Sequence, residues 1–195
     1  MSQVRTITDD REVFALLNLF KEIAAEQGWQ PGNWLEASPE TASYLSVMHE
    51  GRLAGGVQIV FPDEQAYLPY QSVWPEVSVC NPLRTAHVTI LALAQEFRGK
   101  QGIFWSLCIE IWRLCVAREV ETVILEATPH MLEKYRKLRW PLEPVGELRK
   151  HWGEECCLCR MDMRMAAGAM IIQAQRSESY RALVEKASRS LQKNS

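Results

Sequence analysis

The stretch HVTILALAQEFRGKQGIFWSLCIEIWRLCVAR, residues 87–118, decides the fold of this chain. It opens with an apolar, β-branched run over residues 87–94, which predicts a buried strand. Apolar residues then recur at helical spacing from residue 104 and predict an amphipathic helix. Between the two lies a basic turn, Arg98-Gly99-Lys100-Gln101-Gly102. A helix that follows such a turn favours anions, because its first N–H groups lack intrahelical partners and its dipole attracts negative charge.

The remaining chain supplies further strands and helices on both sides of this stretch. Hydrophobic periodicity predicts helices at 10–27 and 129–138, a hairpin of strands at 44–48 and 53–61, and strands at 121–127 and near 156–163. From about residue 166 the composition changes to that of a polar helix. The order predicts an α+β protein with a central mixed β-sheet flanked by helices, in one domain over 1–165 with a C-terminal helical extension over 166–195.

Composition and charge limit the classes of function. The chain has 195 residues, 47% of them hydrophobic and 24% charged, as in an ordinary globular domain. A net charge of −2 gives no electrostatic basis for a nucleic-acid partner. The N-terminal residues lack the apolar core of a signal peptide, and no apolar run approaches the roughly 20 residues of a membrane helix. We therefore expect a cytoplasmic protein without membrane insertion.

Six cysteines raise the question of a metal site. Cys156, Cys157 and Cys159 form a cluster with only His151 nearby. A zinc site usually takes two separated pairs of ligands. We expect reduced, partly buried cysteines and no metal.

The basic turn resembles the acyl-donor motif of the GNAT acyltransferase superfamily, in which a strand, an Arg-Gly-x-Gly turn and a helix hold the pantetheine pyrophosphate. The resemblance implies a GNAT-like three-layer fold and assigns donor binding to five residues: Arg98, Gly99, Lys100, Gln101 and Gly102. Gln101 stands where the next glycine is expected, and Gly102 is displaced by one position. Such a loop suits a donor without the adenylated diphosphate, namely an acyl group on acyl carrier protein, with acyl-CoA as the alternative.

A second segment resembles the acyl-homoserine-lactone (autoinducer) synthases. It contains Trp140-Pro141-Leu142-Glu143 followed by Val145-Gly146-Glu147. Upstream, Gly51-Arg52-Leu53-Ala54-Gly55 and Val73-Trp74-Pro75 resemble the same family, so the likeness covers roughly residues 29–163. Those synthases have the GNAT fold, draw acyl chains from acyl carrier protein and acylate the amine of S-adenosylmethionine.

The acceptor side departs from that family. Only Glu36 and Glu40 are available where the family has aspartates, and Gln58 replaces an expected arginine. The catalytic glutamate and a second arginine align on His87 and Ile90. These changes should remove recognition of a cationic, carboxylate-bearing sulfonium compound. We expect another amine as acceptor, an amino acid as in the related N-acyl amino acid synthases, with Glu36, Glu40 and Gln58 as acceptor-binding residues.

The resemblance also implies catalytic residues. His87 takes the place of the family's catalytic carboxylate, and an imidazole suits a general base near neutral pH. Tyr135 lies near the GNAT tyrosine that protonates the leaving thiolate. Phe104, Trp105 and Leu107 follow the donor turn and are candidates for an acyl pocket, although aromatic residues at helical spacing also serve as plain core.

Three functional alternatives stay open beside transfer of a fatty acyl group to a small amine. They are a CoA-dependent GNAT acetyltransferase, an acyl-homoserine-lactone synthase that uses S-adenosylmethionine, and a non-catalytic acyl or CoA sensor that has lost the catalytic glutamate. For the enzyme we expect no tightly bound cofactor, only acyl-acyl carrier protein or acyl-CoA as co-substrate.

Overall fold

The computed structural model describes residues 2–30 and 40–192. The strands are β1 Ser2–Ile7, β2 Ala42–His49, β3 Arg52–Val60, β4 Thr85–Leu93, β5 Thr122–Ala127, β6 Leu142–Pro144, β7 Arg149–His151 and β8 Glu154–Asp162. The helices are α1 Asp10–Gln27, α2 Gln101–Ala117, α3 Pro129–Lys137, α4 Met163–Arg176 and α5 Glu178–Gln192.

The strands form a mixed sheet in the order β1-β2-β3-β4-β5-β8-β6, and β7 pairs with β8. All neighbours are antiparallel except β4 and β5, which are parallel. Helix α1 packs on one face through Leu16, Phe20 and Ile23. Helices α2, α3, α4 and α5 contribute to the hydrophobic core on the other face. The three layers confirm the predicted α+β architecture, with a central mixed sheet flanked by helices.

Local sequence signals explain where α1 begins and ends. The Asp9 side chain accepts hydrogen bonds from the backbone N–H groups of Arg11 and Glu12, which are among the donors that a helix start leaves open. Gly28 ends the helix in the left-handed region, with φ of 70°. The predicted bounds of this helix, 10–27, are confirmed.

Two parts of the fold differ from the sequence-based expectation. Strand β1 was not predicted, because its residues are mostly exposed at the sheet edge and lack an apolar alternation. The C-terminal region forms two helices instead of one. Helix α4 begins at Met163 because the Asp162 side chain caps it. This helix ends at Arg176, and Ser177 separates it from α5.

Within residues 2–30 and 40–192, no helix is long and apolar enough to cross a membrane. The same part of the chain holds no group of three or more histidine, cysteine, aspartate or glutamate residues that could bind a metal. All six cysteines are free thiols. Cys157 and Cys159 lie with their sulfurs 3.6 Å apart, and burial raises the pKa of the Cys156 thiol to about 12. Buried thiols of this kind stay protonated and inert.

Candidate active site

The sheet opens between its two parallel strands. β4 and β5 pair from Thr85 opposite Thr122 to Val88 opposite Leu125, and both strands continue beyond this point. Thr89 is an extra residue on β4, because its neighbours Val88 and Ile90 pair with consecutive residues of β3. Such a bulge bends a strand and increases its twist. The bulge and the end of the pairing therefore coincide where β4 leaves β5.

A cavity of about 270 Å³ lies at this opening. Both strand edges line it, through residues 88–91 of β4 and residues 123 and 125–127 of β5. Val123 and Ala127 are four residues apart on β5, so at about 3.3 Å per residue the cavity extends along the strand for about 13 Å. This length exceeds what a two-carbon acetyl group fills.

The cavity has an apolar half and a polar half. β5 and β8 are antiparallel, with Val123 opposite Met161 and Ala127 opposite Cys157. The apolar half lies toward the start of β5 and on the α2 face, and its lining includes Val123, Cys108, Ile111, Trp112, Met131, Tyr135, Trp140, Leu142, Met161, Met163 and Ala166. The polar half lies toward the end of β5 and includes Trp29, Glu126, Thr128, His151, Trp152 and Glu154.

Glu126 is the carboxylate that β5 presents to the cavity. His87 pairs with Ile124, so Glu126 lies two residues further on the same face of the sheet. The His87 Nε2 atom lies 2.8 Å from Glu126 Oε1. An ionised carboxylate only accepts hydrogen bonds, so Nε2 is the donor in that state. The side chain of Glu126 is 10% exposed and that of His87 is 0% exposed.

His87 therefore stands behind Glu126 and is absent from the described residues that line the cavity. Sequence reasoning selected His87 and missed Glu126. The available signal was an acidic residue in an otherwise apolar strand, TVILEA. A base role for His87 itself stays a prediction.

The acceptor candidates are in different places. Gln58 is fully buried: its Nε2 donates to the Tyr44 hydroxyl at 3.1 Å, and the Thr89 hydroxyl donates to its Oε1 at 2.7 Å. Of these three residues, Thr89 lines the cavity. Glu40 is exposed two residues before the start of β2, and Glu36 lies outside the described residues. The acceptor roles of Glu36, Glu40 and Gln58 stay predictions.

Tyr135 of α3 lines the cavity, as a proton donor to the reaction would have to. Burial raises the pKa of its phenol, which therefore stays protonated at neutral pH. Its ring lies 6.2 Å from the ring of Phe104.

The three predicted acyl-pocket residues of α2 are not among the residues that line the cavity. Phe104 packs beside Tyr135, Trp105 stacks on Trp140 with centroids 6.0 Å apart, and Leu107 is fully buried in the core. The same helix presents Cys108, Ile111 and Trp112 to the cavity instead. Sequence reasoning missed Cys108 and Ile111, because helical periodicity locates an apolar stripe without showing which part of it faces a void.

The donor turn joins β4 to α2 as predicted, and Gly99 adopts a φ of 81° that glycine accommodates without strain. Gly102 faces open space, since an added Cβ would meet no atom within 4 Å. Lys100 lies 4.9 Å above the ring of Phe97. Gln101 begins α2. Donor binding by these residues stays a prediction.

Arg98, the main cation of this turn, is already engaged. Its guanidinium donates to both carboxylate oxygens of Glu26 in α1, at 2.7 and 3.0 Å, and its Nε donates to the Leu93 carbonyl at 3.0 Å. A phosphate that approaches Arg98 must compete with Glu26 for the same donors.

Comparison with known proteins supports the fold and not a particular activity. Neither a family model nor a curated protein matches the sequence. Among solved structures, the chain resembles FeeM, an N-acyl amino acid synthase from uncultured soil microbes, with a TM-score of 0.70 and 13% identity over 84% of this chain and 92% of FeeM.

Two further structures have the same fold. BjaI, a CoA-dependent acyl-homoserine lactone synthase solved with SAM and isopentyl-CoA, matches with a TM-score of 0.65 and 11% identity, over 96% of this chain and 90% of BjaI. A GNAT-family protein from Desulfovibrio desulfuricans matches with a TM-score of 0.55 and 9% identity, over 84% of this chain and 99% of its own. The chain therefore has a GNAT-like fold, the fold of N-acyl amino acid synthases and acyl-homoserine lactone synthases.

Proposed function

We propose that this protein is an N-acyltransferase that moves a fatty acyl group from a thioester to the amine of a small molecule. The observation that carries the proposal is the cavity at the opening between β4 and β5, which has a long apolar half and a carboxylate, Glu126, in its polar half. A GNAT-like fold shared with two kinds of acyltransferase supports the same reaction class.

The apolar half suits an acyl chain longer than acetyl. Its lining is almost entirely hydrocarbon, aromatic and sulfur-containing side chains. Burying each methylene of a chain contributes about 0.8 kcal/mol, which favours a donor whose acyl chain fills the apolar half of the cavity. This argues for fatty acyl transfer over the acetyltransferase alternative.

The reaction requires removal of two protons from the acceptor. An amine that arrives as an ammonium ion loses the first proton to Glu126, which His87 holds in place through the 2.8 Å hydrogen bond. The free amine attacks the thioester carbonyl, and backbone N–H groups at the strand opening stabilise the oxyanion. The C–S bond then breaks as the C–N bond is completed. Tyr135 protonates the thiolate, and the second amine proton passes to the resulting phenolate, which restores Tyr135. The first proton leaves Glu126 for solvent, and the products are an amide and a thiol.

The donor turn bears on the choice of donor. Because Arg98 already donates two hydrogen bonds to Glu26, a pyrophosphate gains less binding energy from Arg98 than it would from an arginine without such a partner. A donor without the adenylated diphosphate does not depend on that contact, so the Glu26–Arg98 pair costs it less binding energy than it costs acyl-CoA. We therefore propose acyl carrier protein as the preferred donor, with acyl-CoA as the alternative.

The sequence favours an amino acid as acceptor, which would give an N-acyl amino acid as product. An acyl-homoserine-lactone synthase remains the second candidate for the acceptor. FeeM and BjaI both have a similar fold, so the preference for the first candidate rests on this chain's own residues, Gln58 and Ile90, which stand where the lactone synthases are expected to have arginines.

Mass spectrometry of lipids from cells that overproduce the protein tests these candidates together. An N-acylated amine identifies acceptor and chain length at once, whereas N-acyl-homoserine lactone would establish the second candidate. In a parallel assay, purified protein is given acyl-acyl carrier protein or acyl-CoA with a panel of amines. Absence of transfer with every combination, in both assays, would refute the enzyme and leave the non-catalytic sensor.

A further inference from the structure

The polar half of the cavity is acidic. It contains two carboxylates, Glu126 and Glu154, and no described residue that lines the cavity is an arginine or a lysine. The nine residues at 31–39, between the described ranges, contain no arginine or lysine either. Burial lowers the pKa of His151, so its imidazole is neutral at neutral pH. The described lining of the cavity thus offers a cation two partners of opposite charge and offers an anion none.

Indole rings form the wall beside these carboxylates. Trp29 donates from Nε1 to Glu154 Oε1 at 3.0 Å, which holds that carboxylate at the cavity. The rings of Trp29 and Trp152 meet edge to face with centroids 6.0 Å apart. Aromatic faces attract organic cations and pack well against other rings.

A tight hairpin turn carries Trp152. Trp152 and Gly153 join β7 to β8, and both have positive φ, 58° and 92°. The favoured two-residue hairpin turn has positive φ at both central positions, and Glu50 and Gly51 adopt it in the β2–β3 hairpin as well. The Trp152 carbonyl also accepts a hydrogen bond from Gln30 N at 3.0 Å, which ties the turn to the segment after α1. The hairpin turn and this hydrogen bond place the indole at the cavity.

We propose that the acceptor is an aromatic primary amine without a carboxylate group, bound as its ammonium ion between the carboxylates and indoles of the polar half. The proposal rests on the proposed acyl transfer and narrows its acceptor class. It opposes the amino-acid acceptor that the sequence favours.

Charge is the physical reason for this preference. An amino acid brings a carboxylate beside Glu126 and Glu154, and like charges at close range without a cation between them are unfavourable. The corresponding amine keeps the ammonium and the ring, and loses only the group that this site repels. The ammonium also approaches the carboxylate that is proposed to remove its proton.

Binding measured without an acyl donor tests the proposal separately from catalysis. Isothermal titration compares tryptamine, tryptophan and tryptophan methyl ester, the last of which has the bulk of the amino acid without its negative charge. We expect tryptamine and the ester to bind at least tenfold more tightly than tryptophan, which corresponds to about 1.4 kcal/mol. Equal or tighter binding of tryptophan, or no binding of either amine at millimolar concentration, would overturn the proposal.

A matched pair of variants tests the role of the carboxylate. Glu154→Gln removes a charge from the cavity and should reduce the preference for tryptamine over tryptophan by about two- to fivefold, in line with the modest energy of a partly exposed charge pair. Glu155→Gln makes the same change on the next residue of β8, whose side chain points to the opposite side and does not line the cavity. The Glu155 variant should keep the wild-type preference, and an equal change in both variants would contradict the proposal.

The binding result and the transfer result are independent. If tryptamine binds selectively but no donor yields an amide, the proposed acyl transfer fails and the ligand class stands. If amino acids are acylated faster than the matching amines, acyl transfer stands and the inference about the acceptor is overturned.

Discussion

Replacing Glu126 with glutamine separates its chemistry from its place in the structure. The glutamine carbonyl oxygen still accepts the hydrogen bond from His87 Nε2 that the carboxylate accepts at 2.8 Å. A hydrogen bond to a charged group contributes about 1.5–3 kcal/mol and a neutral one about 0.5–1.5 kcal/mol, so the free energy of unfolding should fall by about 1 kcal/mol. For a chain of this size that lowers Tm by about 2–4 °C.

Activity should change far more than stability. The amide cannot take a proton from the acceptor, and a positioned general base contributes about 10²–10⁴-fold to rate. We expect kcat/KM to fall by this factor, which corresponds to about 2.7–5.4 kcal/mol of transition-state stabilisation. Release of the donor thiol, followed in single-turnover mixtures with amine in excess, measures the rate.

Glu143→Gln is the matched control for this variant. Glu143 lies on β6, pairs with Arg160, is 64% exposed and does not line the cavity, so its loss should leave kcat/KM within about twofold, as for surface changes in general. If Glu126→Gln keeps more than a third of wild-type kcat/KM, Glu126 is not the base.

His87→Phe, which removes the donor but keeps a ring, should lower kcat/KM in the wild type and much less in the Glu126→Gln background. An equal loss in both backgrounds would show that His87 acts independently of Glu126.

Three further changes test the donor side. Tyr135→Phe should lower kcat by about 10²-fold with an alkyl thioester but little with an aryl thioester, because an aryl thiolate leaves without being protonated. Equal losses with the two thioesters would contradict the proton-donor role. Ala166→Leu adds three carbons to the apolar half and should shorten the preferred acyl chain. Each excluded methylene should cost about 0.8 kcal/mol, or about fourfold in kcat/KM. An unchanged chain-length profile at unchanged Tm would refute the acyl site. Glu26→Gln removes the ion pair with Arg98 and should lower KM for acyl-CoA by about two- to fivefold, since an exposed ion pair contributes about 0.4–1 kcal/mol. An unchanged KM would show that Arg98 does not contact the donor.

Local signals in the sequence predict much of the fold. Asp9 and Gly28 delimit α1 because a cap needs only the few residues around it, and the strand–turn–helix around Gly99 is likewise contiguous in the chain. The segments that resemble acyl-homoserine-lactone synthases led to the GNAT fold, which the structural comparisons confirm. Strand β1 was not predicted, because an edge strand with exposed side chains is defined by its pairing with β2 more than by its own hydrophobic pattern.

The candidate site depended on contacts that periodicity does not contain. His87 and Glu126 lie 39 residues apart, and only the parallel pairing of β4 with β5 brings their side chains together. The same holds for the side of α2 that faces the cavity through Cys108 and Ile111, since that choice is made by the gap between the strands. The sequence by itself determined the strand, the basic turn and the helix, because their signals act over a few residues. The tertiary structure alone decided which carboxylate meets the cavity and what charge surrounds it, because both depend on distances between segments far apart in the chain.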